Sequence, residues 1–139
     1  MLALSSVATI FYFFVRPRIV ALLLFLLFAT PGFADGVIAA LKNSSTVTRI
    51  DATNGGFLGS ISTSGAISAS SDGSTIAVLS ASGTVSRYDA RSGSFLGSIS
   101  SDSDASSIQV TNGVIAVISH STVNRYNAKT GNFLGSSSL

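Results

Sequence analysis

The chain has 139 residues, room for one domain. It contains no Cys, Trp or Glu, which excludes disulfide staples and thiolate chemistry. Its formal net charge of +2 comes from Arg16 and Arg18 near the N-terminus. Beyond residue 34, Lys42, Arg49, Arg87, Arg91, Arg125 and Lys129 balance Asp35, Asp51, Asp72, Asp89, Asp102 and Asp104. With no basic patch, the composition speaks against a nucleic-acid partner.

Arg16-Pro17-Arg18 precedes an apolar run over 19–28, and Ala29-Thr30-Pro31-Gly32-Phe33-Ala34 follows. A basic head, a short apolar body and a small-residue exit predict a secretory signal peptide over 1–34, a hydrophobic signal helix cut after Ala34. The stretch 19–34 is shorter than the ~20 residues needed to span a bilayer. An uncut leader would be the chain's membrane contact. Residues 1–15 are unusual in lying ahead of the basic pair, and a start at Val15 would give an ordinary leader. The expected location is secreted, periplasmic or cell-surface.

The remainder, 35–139, is a repeat. Segments 46–62 (TVTRIDATNGGFLGSIS), 84–100 (TVSRYDARSGSFLGSIS) and 122–138 (TVNRYNAKTGNFLGSSS) align with each other, and Phe57, Phe95 and Phe133 are spaced 38 residues apart both times. Such a period signals stacked supersecondary units. In the middle copy, 66–70 is a short strand and Asp72-Gly73 a hairpin turn. The unbroken apolar run over 75–80 reads as a strand buried on both faces. Residues 84–90 alternate, with Val85, Arg87 and Asp89 on one face and Ser86, Tyr88 and Ala90 on the other. Gly93 turns the chain into a fourth strand over 94–100. Asn112-Gly113 repeats the Asp-Gly turn. Insertions and losses fall in predicted turns, because a one-residue slip within a strand would swap its faces. The fold is therefore all-β, with about three consecutive four-stranded antiparallel sheets at 36–62, 66–100 and 106–138. The first begins on its second strand.

The pattern Val-x-Arg-Tyr-Asp-Ala-x-Ser/Thr-Gly-x-Phe-Leu-Gly, with Ser-Asp-Gly-x-x-Ile-Ala-Val before it, resembles the blades of secreted bacterial β-propellers. It is most similar to the NHL and YVTN types, and more distantly to quinoprotein-type repeats. The resemblance implies a partial β-propeller. Quinoprotein-type repeats follow the turn with a Trp that locks neighbouring blades; here Phe57, Phe95 and Phe133 stand nearest that place, which argues against a quinone. Propellers usually close with four to eight blades. Three suggest the N-terminal part of a longer ring, or copies that associate through open blade edges.

Few residues invite chemistry. Arg49/Asp51, Arg87/Asp89 and Arg125/Asn127 lie two apart on one strand face and read as a structural ladder, arginine pairing with aspartate within or between blades. Asp102 and Asp104 form a thin start for calcium and read as a solvated turn. His120 sits in a hairpin turn with no expected partner. Tyr88 and Tyr126, with Ile50 at the same place, read as packing. No catalytic, cofactor-binding or metal residue is assigned, and no cofactor is expected. The expected function is an exported, non-enzymatic propeller module that recognises or scaffolds a protein or small ligand. The alternative is part of a lactonase-like or quinone-dependent propeller enzyme whose catalytic residues lie in further blades.

Overall fold

The computed structural model describes residues 36–139. The expected leader over 1–34 and the start at Val15 lie outside them. Eleven strands, β1 (Val37–Asn43), β2 (Thr46–Asp51), β3 (Phe57–Ser62), β4 (Ala66–Ser71), β5 (Thr75–Ser80), β6 (Thr84–Asp89), β7 (Phe95–Ser100), β8 (Ser107–Thr111), β9 (Val114–Ile118), β10 (Thr122–Asn127) and β11 (Phe133–Ser138), make up the described chain. They form three antiparallel sheets, β1-β2-β3, β4-β5-β6-β7 and β8-β9-β10-β11. This is the expected partial propeller, its first sheet one strand short.

Local chemistry explains each sheet. Asn112 and Gly113 both take positive φ, at 49° and 75°, which is the two-residue hairpin turn that such a pair favours. The β5 run is buried at five successive positions because it sits between two neighbours. Ile76 and Val78 face the first sheet and share a core with its Val37, Val47 and Ile61 and with Ala66 and Ala90 of their own. Ala77 and Leu79 face the third and share a core with its Ile108, Ile115, Val117 and Tyr126 and with Val85 and Ile99 of their own. The alternation of a strand thus becomes two separate cores, one at each joint between sheets.

Every β2-β3-type pair carries the same irregularity. Arg49 pairs with Gly59 and Ile50 with Phe57, leaving Leu58 as an extra residue. The same bulge stands at Arg87/Tyr88 and at Arg125/Tyr126.

Candidate functional site

The side chains that the repeat keeps constant meet at the joints. Arg49 leaves β2 on the face of Val47 and is buried. Its Nη1 donates to the carbonyls of Ala90 (3.2 Å) and Arg91 (2.5 Å) in the next sheet's turn, and its Nη2 to the carbonyl of Leu58 (3.0 Å) in its own bulge. Arg87 does the same one sheet later, from Nη1 to Ala128 (3.1 Å) and Lys129 (2.8 Å) and from Nη2 to Leu96 (3.4 Å). A guanidinium fork suits this task because it can serve several acceptors at once.

Two glycines make room for each fork. A Cβ on Gly97 would lie 2.8 Å from Arg87 Nη2, and one on Gly131, in the next turn, 2.9 Å from it. For Arg49 the corresponding distances to Nη2 are 2.7 Å at Gly59 and 3.1 Å at Gly93, with its Cζ only 2.9 Å from the latter. The repeat's Phe-Leu-Gly and Asp-Ala-x-x-Gly motifs are thus two walls of one slot.

The arginine–aspartate ladder is corrected in its acceptor. Arg49 and Arg87 cross between sheets, but they bond main-chain carbonyls. The acids are engaged with their own turns: Asp51 accepts from the Thr53 amide (2.8 Å), and Asp89 from the Ser92 amide and hydroxyl (2.8 Å each). Asn127 caps its turn in the same way, accepting from the Lys129 and Thr130 amides. Those bonds hold the carboxyls of Asp51 and Asp89 below the usual range, led by the Thr53 and Ser92 amides respectively. Asp72, which sequence reasoning read only as a turn residue, also ties sheets together. Its Oδ1 accepts from the amides of Ser74 and Thr75 and the Ser74 hydroxyl, and its Oδ2 from the Gly113 amide of the third sheet (2.8 Å). Partial burial opposes its ionisation, but the bonds from Thr75, Gly113 and Ser74 outweigh burial and lower its pKa. Ser68 and Ser70 add bonds to the Ile108 and Val110 amides.

The remaining candidates stay apart. Asp102 accepts from the Asn124 amide group (3.0 Å), Asp104 is exposed in the same connection, and His120 is exposed in its hairpin. Among the described residues no group of three His, Cys, Asp or Glu could hold a metal ion. No described helix is long and apolar enough to cross a membrane. Tyr88 and Tyr126 pack into the joints, each meeting its own sheet's Phe95 or Phe133 edge-on at 5.5 Å. Those phenylalanines do not lock sheets together: Phe57, Phe95 and Phe133 are 71%, 61% and 59% exposed on the last strand of each sheet. Leu96 and Leu134, beside two of them in sequence, are exposed as well.

A cleft of about 340 Å³ opens beside the first joint, lined by Ser62, Thr63, Ser64, Val78, Ser80, Ser86 and Tyr88. Its Thr63 hydroxyl is buried without a hydrogen-bond partner, and so is the Ser101 hydroxyl at the equivalent repeat position. The Nε atoms of Arg49 and Arg87 form a second such pair. Because these defects recur with the repeat, they belong to how the joint is built and do not mark a ligand site.

Comparison with known proteins agrees with this architecture. Residues 43–134 match the family model described as outer membrane protein assembly factor BamB. No curated protein matches the chain in sequence. Among solved structures, BamB from Moraxella catarrhalis is similar with a TM-score of 0.62 and 21% identity, covering 77% of this chain and 34% of that one. The RRP9 WD40 repeats follow with 0.60 and 17%, covering 73% and 35%. The quinohemoprotein alcohol dehydrogenase ADHIIG from Pseudomonas putida HK5 gives 0.56 and 18%, covering 76% and 19%. At these identities the likeness is one of fold, and the chain spans about a third of the first of these proteins.

Proposed function

Because the chain belongs to the repeat family described as outer membrane protein assembly factor BamB, we propose that it is an exported, non-enzymatic propeller module that binds a protein partner. One observation carries this reading. The repeat's polar residues are spent on building joints, while its phenylalanines are left exposed in register, one per sheet. Large apolar side chains exposed at a repeated position of a regular scaffold favour a protein surface as partner. The leader-like segment and the family together support a periplasmic or outer-membrane-associated setting. The resemblance to NHL and YVTN blades supports the same scaffold role.

The enzyme alternative draws on the dehydrogenase likeness, which is one of fold. The described residues do not suit a quinone. The chain has no Trp, its phenylalanines stand exposed, and both buried guanidiniums are committed to carbonyls.

The test is site-specific photocrosslinking from position 95 in the source cell. A discrete protein adduct, abolished by Phe57→Ser together with Phe133→Ser, is the expected result. No adduct, together with quinone-dependent alcohol oxidation or lactone hydrolysis by the purified protein, would overturn the proposal.

A further inference from the structure

The third copy of the slot is built but empty-handed. Arg125 is exposed, whereas Arg49 and Arg87 are 7% and 5% exposed. Yet its fork is already in place: a Cβ on Gly135 would lie 3.2 Å from Arg125 Nη2, close to the distances at the two filled slots. At the opposite end of the described chain, the turn after β2 is an acceptor without a donor. Gly55 has φ +72° and nothing within 4 Å of its would-be Cβ, where Gly93 and Gly131 carry the fork of the preceding sheet. Ala52, in the same turn, is exposed, while its repeat equivalents Ala90 and Ala128 are buried.

The apolar surfaces agree. Ile38 is 51% exposed and its equivalent Ile76 is 0% exposed. Val123 is half-buried where Val47 and Val85 are fully covered. One face therefore offers a guanidinium and Val123, and the other offers two carbonyls, a vacant glycine and Ile38. The two internal joints show what such faces do when they meet.

We propose that a second copy of this chain docks head to tail on the first, with Arg125 of one copy entering the turn of the other and donating to the carbonyls of Ala52 and Thr53 above Gly55. The joint repeats the arginine clamp already present twice within the chain, without the first strand of the receiving sheet, β4 or β8, that the internal joints also use. It is heterologous, so it closes only if the rotation allows. The tail also differs in its side chains: Ser137 stands at the place of Ile61 and Ile99, and Gln109 and Asn112 at the places of Ser70 and Asp72, which bond across the second joint. The intermolecular joint is accordingly weaker than the internal ones. This inference does not depend on the protein partner proposed above.

The test is sedimentation of the full chain over a concentration series. Wild type is expected to form a two-copy species. Arg125→Ala should weaken it by at least ~10-fold, the effect of losing a charge-assisted fork. Ser137→Ile should tighten it by roughly 10-fold through added apolar burial. Gly55→Asn tolerates positive φ but fills the slot, and should also give single copies. Mixing the Arg125→Ala and Gly55→Asn proteins should restore a two-copy species, since each retains one intact end. Thermal melts at low concentration separate these effects from misfolding. A wild type that stays single at about 100 μM, well above a micromolar dissociation constant, overturns the proposal. So does association unchanged by Arg125→Ala, or variants that fail to complement. Protection of Arg125 within a single copy would assign the face to the chain itself and equally overturn it.

Discussion

Replacing Arg87 by alanine should cost far more than the same change at Arg125, although the two occupy one position of the repeat. Arg87 makes two good bonds to carbonyls, at 3.1 and 2.8 Å, and a long one at 3.4 Å. Bonds from a charged donor are worth about 1.5–3 kcal/mol each. Against that stands the cost of holding a guanidinium away from water, several kcal/mol in a dry site, which truncation relieves. Truncation also leaves the Ala128 and Lys129 carbonyls facing a gap. The balance is a net loss of about 2–4 kcal/mol, at the upper end for a single change. With a urea dependence near 1.5 kcal/mol per molar, the midpoint falls by roughly 1.5–2.5 M. The third sheet, losing its clamp to the second, should also begin to melt as a separate step. At Arg125 the same change should stay within about 0.5 kcal/mol, as for an exposed residue. Urea titrations followed by circular dichroism, at concentrations dilute enough to hold single copies, measure both. Equal losses at the two positions would refute the clamp.

Gly131→Ala should destabilise more than Gly55→Ala. Both pay for positive φ, about 1–2 kcal/mol, but only the first drives a Cβ into a guanidinium; thermal unfolding of the pair measures the difference. Stability should fall in acid through Asp72. Its pKa is lowered on folding, so its contribution is complete above the unfolded value near 3.8 and is lost as pH drops through the lower folded value. Asp72→Asn keeps an acceptor for Ser74 and Thr75 but turns a donor towards Gly113. It should cost about 1 kcal/mol at neutral pH, allowing for partial exposure, with the gap to wild type closing in acid when melts are repeated across pH. Phe133→Ser should change stability by at most about 1 kcal/mol, the worth of its edge contact with Tyr126, while weakening any crosslink made from position 95.

The strands were legible because their signals are local. The β5 run, the Asn-Gly turn and the 38-residue spacing each name a structure without reference to anything distant. The joint was only half legible. Arg87 and Asp89 share a strand face, which invites a pairing between them, but a short carboxylate two residues from free amides is captured by its own turn. The longer arginine is left to find acceptors in the next sheet. A clue was present in Gly59, Gly97 and Gly135. A glycine within a strand weakens it unless something must come close, and here the guanidinium does. The surroundings of the phenylalanines were not legible, because they depend on the bulge at Leu96, which sets Phe95 against its own Tyr88.

The clamp's acceptors are peptide carbonyls, which are the same whatever side chains flank them. Any module bearing the turn can therefore receive any module bearing the arginine. Unequal crossing-over between repeats would keep this clamp at each new seam. A gene built this way can lengthen, shorten or shuffle its units without reinventing the clamp that holds them.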